Sequence, residues 1–294
     1  YDMLPRAACG FAGLINPGCI CYMNSLLQQL FMQKDFRLKI MELDSLRTIH
    51  DEVQAREEGD SMDLNGESDN LLFQLQNVFG HLSTTHRRTF DPTPFSHAFK
   101  DFDGLPTNIY LQQDIDEFLR ILLDRLEGGG AKDAVRRAFG GPLVNQIICQ
   151  DVDYTSEREE TFNALTLEIK NKLSVQESLS LYVQGDLLDG DNSYFCEEID
   201  RKVAAVKRVC IRSLPQTLIL HLKRFEFDFA FMQKCKVNDF CEFPQELDMF
   251  PYTEEGLQSA NNKRDHPSQS SSEADVQHTG CVFVLRGVVV HLGG

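Results

Sequence analysis

The spacing of the apolar residues changes midway along this chain of 294 residues, and this change limits the possible folds more than any other feature. In the first half, apolar side chains recur every three or four residues, as on one face of an amphipathic helix. In the second half, they form short β-type runs bounded by turn residues. Apolar residues make up 42% of the chain, enough for a sizeable core. The pattern predicts a mixed α+β fold, with a helical lobe over residues 1–141 and a β-rich lobe over residues 142–294.

The clearest predicted helix covers residues 111–127 of the helical lobe. Its apolar residues from Leu111 to Leu126 form one stripe, its other face is acidic, and the glycines at 128–130 end it. The same spacing predicts further helices over residues 22–33, 71–82 and 132–139.

Two polar stretches interrupt the pattern. Residues 42–70 are acidic and polar, which predicts a loosely ordered insertion. Residues 254–278 are rich in Ser, Asn, Gln and charge and have little to bury, so they are predicted to form a disordered loop within the β-rich lobe. The apolar runs of this lobe predict strands within residues 143–149, 162–170, 206–212, 217–225 and 282–290.

The chain is strongly acidic, with 29 Lys and Arg against 45 Asp and Glu and a net charge of −16. Negative charge repels phosphate, so nucleic acid and anionic membranes are poor partners, and a basic protein or peptide is a better one. No stretch approaches the roughly 20 apolar residues that span a bilayer, and no signal segment opens the chain. We therefore expect an intracellular protein, cytoplasmic or alternatively nuclear.

The nine cysteines are scattered and odd in number, which is not typical of a disulfide framework. Most of them are therefore expected to be free thiols. The chain begins at Tyr1 and ends at Gly294, directly after an apolar run. From these ends we expect a fragment of a longer protein.

The most informative segment is GFAGLINPGCICYMNSLLQQLF, which places Cys21 between a tight turn and the start of a helix. Backbone N–H groups at a helix N-terminus favour the thiolate, which is the nucleophilic form of cysteine. An intracellular cysteine is more often a small buried apolar residue, so the surrounding residues must decide between the two roles.

These residues closely resemble the cysteine box of the ubiquitin-specific proteases, Gly-Leu-x-Asn-x-Gly-x-Thr-Cys-Tyr-x-Asn-Ser. The resemblance implies that Cys21 is the nucleophile and that Asn16 donates a hydrogen bond to the oxyanion of the tetrahedral intermediate; Asn16 is also a natural turn residue before Pro17. The chain departs from the box at Cys19, where Asn or Ala is usual, and at Ile20, where Thr is usual. The matching residues are Gly13, Leu14, Asn16, Gly18, Cys21, Tyr22, Asn24 and Ser25.

The segment QQDIDEF, within the predicted helix, resembles the family's Gln-Gln-Asp-x-x-Glu-Phe box. The resemblance implies that Asp114 and Glu117 face the groove for the arginine-bearing C-terminal tail of ubiquitin. Carboxylates three residues apart lie on one helical face and can pair with guanidinium groups, although a solvated acidic face has the same pattern. Residues 222–228 and 238–249 are similar to the family's palm strands, and the run through Tyr252 resembles its large fat-facets-related members.

Many family members also carry two CxxC pairs that hold zinc in a finger-like subdomain. Here the pairs are CQDV and CEEI, with Val152 and Ile199 in the second positions, so only Cys149 and Cys196 remain. A structural zinc site requires four ligands. The sequence therefore predicts no metal site and no cofactor, and finger packing that rests on apolar contacts.

The family's general-base histidine lies in a Gly-Gly-His-Tyr-Tyr-like box after a strand that resembles GVVVH. This chain ends at GVVVHLGG, and His291 matches the strand-end histidine rather than the catalytic one. His291 could act as the base only within hydrogen-bond reach of Cys21. His221, His266 and His278 match no family motif. We therefore expect the catalytic histidine beyond Gly294 and an inactive or impaired fragment.

Together the resemblances imply a papain-like cysteine protease hand with a helical thumb and β-rich fingers and palm. They imply a thiol-dependent deubiquitinase that hydrolyses isopeptide or peptide bonds after the C-terminal glycine of ubiquitin, with ubiquitin and ubiquitinated proteins as partners. A catalytically silent ubiquitin-binding module is the alternative, since Ile20, the lost thiols and the absent histidine box are departures from the family. A redox or zinc scaffold is a third reading, based on cysteine number alone.

Overall fold

The computed structural model describes residues 4–45, 70–101, 103–228, 232–265 and 280–291. It divides into two compact units, Tyr1–Ala138 and Phe139–Gly294, and the division falls close to the predicted lobe boundary. Most of the predicted insertion, residues 46–69, lies outside the described residues. No described helix is long and apolar enough to cross a membrane.

The first unit is helical, with one short parallel strand pair. Strand β1 (Gly13–Leu14) pairs with β2 (Thr89–Phe90). The glycine at position 130 has a φ of +90° and separates the last two helices of the unit across a turn over Glu127–Ala131. Within the described residues, the helices are α1 (Cys21–Met32), α2 (Lys34–Glu42), α3 (Leu71–Thr84), α4 (Thr93–Ala98), α5 (Ile115–Leu126) and α6 (Lys132–Phe139).

Aromatic rings fill the core of the helical unit. Phe79 on α3 is fully buried and makes edge-to-face contacts with Phe31 of α1 and Phe36 of α2. On α5, Phe118 contacts Phe99 at a centroid distance of 4.7 Å. Such aromatic pairs contribute about 0.5–1.5 kcal/mol beyond the area they bury. The apolar faces of α1, α2, α3 and α5 therefore share one core.

The start of α5 differs from the sequence prediction. The helix begins at Ile115 rather than near residue 111, because the Asp114 side chain caps it by accepting hydrogen bonds from the amides of Asp116 and Glu117. Leu111 lies before the cap and is 59% exposed, so its assignment to the apolar stripe was wrong. The apolar spacing alone predicted too early a start for the helix, because this spacing does not identify the capping residue.

The second unit is built on a four-stranded antiparallel sheet in the order β4-β3-β9-β6. Around it lie the parallel pair β5 and β10 and the antiparallel pairs β7–β8, β11–β12 and β13–β14. The strands are β3 (Gly141–Cys149), β4 (Thr155–Phe162), β5 (Leu165–Leu167), β6 (Asp186–Leu188), β7 (Tyr194–Cys196), β8 (Arg201–Val203), β9 (Ala205–Ile211), β10 (Leu220–Leu222), β11 (Phe225–Asp228), β12 (Gln233–Lys236), β13 (Glu246–Asp248) and β14 (Val282–Val284).

The main core of the second unit lies between the sheets and helix α7 (Val175–Tyr182). Leu167, Ile169, Leu179, Ile211 and Met249 are fully buried in it. The mixed α+β class predicted from the apolar spacing is confirmed, with the helical and β-rich units following each other along the chain.

The predicted disordered loop over residues 254–278 is wrong at its start. Glu254–Asp265 forms helix α8, and the remainder of the range lies outside the described residues. Thr253 supports the first turn, since its Oγ1 accepts a hydrogen bond from the Gly256 amide at 3.2 Å. Leu257 packs on the main core, and Glu254 accepts a hydrogen bond from Arg212 Nε at 3.0 Å. A cap, one apolar contact and an ion pair order a stretch whose composition alone predicts disorder.

Candidate active site

Cys21 is the first residue of α1, and its side chain is exposed. Ile20 before it is fully buried and offers no side-chain cap to the helix. An uncapped helix N-terminus keeps backbone N–H groups that favour negative charge. The Cys21 side chain therefore starts from the end of α1 at which such N–H groups are found.

The loop before Cys21 is held by three successive backbone amides. Asn16 Oδ1 accepts hydrogen bonds from the amides of Gly18, at 3.4 Å, and Ile20, at 3.2 Å. Between them, the Cys19 amide donates to the carbonyl oxygen of Ile109 at 2.6 Å. A side chain at Gly18 would clash with that same carbonyl group. The motif thus requires glycine here because the two loops approach so closely.

Two polar residues of α1 tie its helix back to the segment that leads into this loop. The buried Asn24 donates from Nδ2 to the Ile15 carbonyl oxygen at 3.0 Å. One turn further on, Gln28 Nε2 donates to the Ala12 carbonyl oxygen at 3.3 Å. In the sequence analysis, Asn24 matched the cysteine box but was given no role. Its role could have been recognised from the position of a polar residue on the apolar face of a predicted helix.

Asn16 is exposed, and its two side-chain atoms have different surroundings. Its Oδ1 holds the turn, whereas among the described residues nothing accepts a hydrogen bond from its Nδ2. The turn role and the donor role considered for Asn16 therefore use different atoms and are compatible.

The elements that carry Cys21 and the acidic box are in contact. The ring of Tyr22 on α1 meets that of Phe118 on α5 edge to face, with centroids 5.4 Å apart. Burial, and then the neighbouring Cys21, raise the pKa of Tyr22 to about 12. The Tyr22 phenol is therefore neutral at physiological pH and acts as a packing residue.

Asp114 precedes α5 as its capping residue, so of the two proposed carboxylates only Glu117 belongs to the helix itself. Asp114 Oδ1 accepts from the Asp116 amide at 2.8 Å and from the Glu117 amide at 3.4 Å. The Glu117 side chain is exposed and has no hydrogen-bond or ion-pair partner in the described part of the chain. Glu117 is thus the more available carboxylate, whereas Asp114 also has a structural role.

None of the described histidines of the helical unit hydrogen-bonds to the Cys21 thiol. His81 stacks on Phe90 with ring centroids 4.2 Å apart. His291 belongs to the second unit, where its ring meets Phe225 edge to face at 5.3 Å and its carbonyl oxygen accepts from Lys236 Nζ at 3.4 Å. His266 and His278 lie outside the described residues.

The two cysteines that remain from the CxxC pairs lie in a small apolar cluster. Cys149 and Cys196 are buried together with Val203 and Ala205, and Val152 packs against them. Burial, followed by the proximity of Cys196, raises the pKa of the Cys149 thiol. Within the described ranges, no group of three or more His, Cys, Asp or Glu side chains is arranged to hold a metal ion.

Comparison with known proteins decides which family these features belong to. The family model described as ubiquitin carboxyl-terminal hydrolase matches residues 12–294. The chain belongs to this family. The match confirms the resemblance to the ubiquitin-specific proteases, and with it the papain-like fold expected for the two lobes.

Relatives in this family match almost the whole chain. Human ubiquitin carboxyl-terminal hydrolase 9Y is 34% identical over 98% of this chain and 13% of its own length. The probable ubiquitin carboxyl-terminal hydrolase FAF of Drosophila melanogaster is 33% identical over 100% of the chain and 12% of its own length. Human ubiquitin carboxyl-terminal hydrolase 24 is 34% identical over 100% of the chain and 11% of its own length. The chain thus spans about an eighth of the length of these relatives.

Proposed function

We propose that this domain is a thiol-dependent deubiquitinase that hydrolyses isopeptide or peptide bonds after the C-terminal glycine of ubiquitin. One observation carries the proposal: the exposed Cys21 stands at the uncapped start of α1, next to an Asn16 whose Nδ2 has no acceptor among the described residues. Membership of the ubiquitin carboxyl-terminal hydrolase family supports ubiquitin as the modifier.

In the proposed reaction, the Cys21 thiolate attacks the carbonyl carbon of the terminal glycine. The resulting oxyanion accepts hydrogen bonds from Asn16 Nδ2 and from the amides at the start of α1. The lysine amine leaves after it has received a proton from a general acid, and a thioester remains. Water then hydrolyses the thioester, which releases ubiquitin and restores Cys21.

The general acid and base is a histidine in this proposal, as the family resemblance implies. Asp114 and Glu117 are proposed to attract the arginine-bearing tail of ubiquitin, with Glu117 as the freer charge. No metal or cofactor takes part. A cytoplasmic or nuclear location and the exclusion of nucleic acid and membranes as partners also stay predictions.

Ubiquitin with a C-terminal electrophile tests the proposal, because it reports both recognition of the tail and the nucleophile. We expect an adduct with the full-length protein and none with its Cys21→Ala variant. The Cys9→Ala variant, which lacks another exposed thiol of the same unit, is expected to keep the adduct. Ubiquitin binding without an adduct in a folded protein would overturn the proposal and favour a silent binding module.

A further inference from the structure

Two exposed thiols flank one buried residue at the start of α1. Cys19 and Cys21 are both exposed, while the Ile20 side chain between them is fully buried. The proposed hydrolysis uses only Cys21. The Cys19 thiol therefore has no function in that reaction, although it lies two residues from the nucleophile.

The backbone between the two cysteines brings them within disulfide range. Ile20 has a φ of −94° and a ψ of 26°, a turn conformation rather than an extended one. By standard chain geometry, a residue in such a turn separates its neighbouring Cα atoms by about 5.5 Å. Disulfides join Cα atoms roughly 4.4–6.8 Å apart. The Cα atoms of Cys19 and Cys21 therefore lie within the separation that a disulfide spans.

The loop is also fixed in this conformation. The Cys19 amide donates to Ile109, and the Ile20 amide donates to Asn16 Oδ1. Because these bonds hold the two amides on either side of the Cys19 Cα, the backbone that carries the two cysteines is fixed. This arrangement favours an intramolecular reaction over one with a distant thiol.

Exposure separates this pair from the buried thiols of the protein. Cys149, Cys196, Cys210 and Cys241 are buried, and burial raises the pKa of Cys210 to about 11. Buried thiols of this kind are inert toward oxidants. Among the described residues, the cysteines classed as exposed are Cys9, Cys19 and Cys21, all in the helical unit, while Cys235 and Cys281 are half-buried.

We propose that Cys19 is a resolving cysteine, which forms a reversible disulfide with Cys21 when peroxide oxidises the latter. In the first step, the Cys21 thiolate attacks a peroxide oxygen, so that an S–O bond forms and the O–O bond breaks. Hydroxide leaves and takes a proton to become water; Cys21 becomes a sulfenic acid, oxidised by two electrons, and the peroxide is reduced.

In the second step, the Cys19 thiolate attacks the sulfur of the sulfenic acid. An S–S bond forms, the S–O bond breaks, and the departing hydroxide takes a proton to become a second water. The disulfide blocks Cys21 but prevents its further oxidation to sulfinic acid, which is irreversible for most proteins. Because the disulfide is exposed and closes a very small ring, thiol reductants restore both cysteines readily.

The inference goes beyond the proposed hydrolysis and is tested without ubiquitin. Trypsin releases residues 7–34 as one peptide that contains Cys9, Cys19 and Cys21, so the test uses a Cys9→Ser background. The protein is treated briefly with hydrogen peroxide, labelled with N-ethylmaleimide and digested. We expect the peptide to lose both labels, to be lighter by two hydrogen atoms, and to regain both labels after dithiothreitol.

The matched variant adds Cys19→Ser to the same background. We expect Cys21 of this variant to be converted to sulfinic acid, so that dithiothreitol no longer restores labelling of its thiol. A Cys19 that still takes the label in peroxide-treated protein, while Cys21 does not, would overturn the proposal. So would a disulfide that joins two chains on a non-reducing gel. Oxidation of Met23 or Met32 adds oxygen to the same peptide, so the thiol labels, which methionine does not take, are the deciding readout.

Discussion

At the scale of single residues, the arrangement around Cys21 depends on asparagine side chains that use their two ends differently. Asn24 anchors the chain at Ile15, and Asn16 closes the turn through Oδ1 while its Nδ2 stays available. A side chain with both an acceptor and a donor is needed at position 16 if it both shapes the loop and binds an oxyanion.

Substitution of Asn16 separates these two roles. Asn16→Asp keeps the acceptor for the Gly18 and Ile20 amides but removes the donor and adds a charge. Ubiquitin with a C-terminal aldehyde forms a thiohemiacetal whose oxygen occupies the oxyanion position. We expect its affinity for Asn16→Asp to fall about 10²-fold or more, the usual effect of losing one such donor, with little change in the free energy of unfolding. Unchanged affinity would show that Asn16 acts in the turn alone.

Tyr22 provides a second residue-scale prediction. Its hydroxyl is buried and has no hydrogen-bond partner among the described residues. A buried polar group without a partner costs about 1–3 kcal/mol, so Tyr22→Phe is expected to raise the free energy of unfolding by about 1 kcal/mol in urea denaturation. Tyr22→Leu serves as a control, because this variant loses the edge-to-face contact with Phe118 as well as the hydroxyl group. A clear loss of stability in Tyr22→Phe would contradict this account.

At the scale of elements, the start of α5 illustrates what the sequence could and could not predict. The apolar spacing predicted a helix here, and in the structure Phe118, Leu122 and Leu126 are buried in the core. This spacing did not show that Asp114 caps the helix. The predicted start of the helix was therefore too early, and Asp114 was counted as one of its residues. The capping role was readable in principle from an Asp placed just before Ile115, where the closely spaced apolar residues begin.

Capping by Asp114 is tested with a pair of variants. Asp114→Ala removes the acceptor for the Asp116 and Glu117 amides and is expected to cost about 1 kcal/mol of unfolding free energy. Asp114→Asn keeps a comparable cap without the charge and is expected to stay close to wild type in denaturant midpoint. If both variants lose stability equally, the charge of Asp114 rather than its capping bonds supports the helix.

In the second unit, strand β4 was not predicted, because its sequence TSEREETF lacks an apolar face. The strand lies at the edge of the sheet and pairs along its length with β3. Charged side chains are common on edge strands, since they oppose pairing with other chains. Residues from elsewhere in the unit hold this strand in place. Arg212 donates hydrogen bonds to Glu157 and Glu159 of β4 and to Glu254 of α8.

This network predicts a dependence of stability on pH. The hydrogen bond from Arg212 is the main reason that the pKa of Glu157 lies below its ordinary value of 4.5. A carboxyl group with a lowered pKa in the folded state adds stability above its unfolded value, and this stability is lost as the pH falls through the folded value. We expect Arg212→Gln to lose less stability than wild type on acidification from about pH 5 to about pH 3. Parallel curves for the two proteins in thermal melts would contradict this role.

At the scale of the whole molecule, the change in apolar spacing predicted the order of a helical and a β-rich unit. The bounds of single elements were harder to predict from the sequence. Helix α8, for example, depends on contacts made by Thr253, Arg212 and Leu257, which the local composition does not reveal. The candidate site was predictable at Cys21 and Asn16, because a long motif fixes them. The close approach of Ile109 to Gly18 was not, since it joins loops far apart in the sequence.

The central claim is that Cys21 is a nucleophile addressed by the C-terminal tail of ubiquitin. The most direct test is the intact mass of the full-length protein after incubation with ubiquitin that carries a C-terminal electrophile. The account predicts an adduct of one ubiquitin per chain that Cys21→Ala abolishes and Cys9→Ala preserves. A folded wild-type protein that binds ubiquitin but forms no adduct, or an adduct that persists in Cys21→Ala, would contradict it.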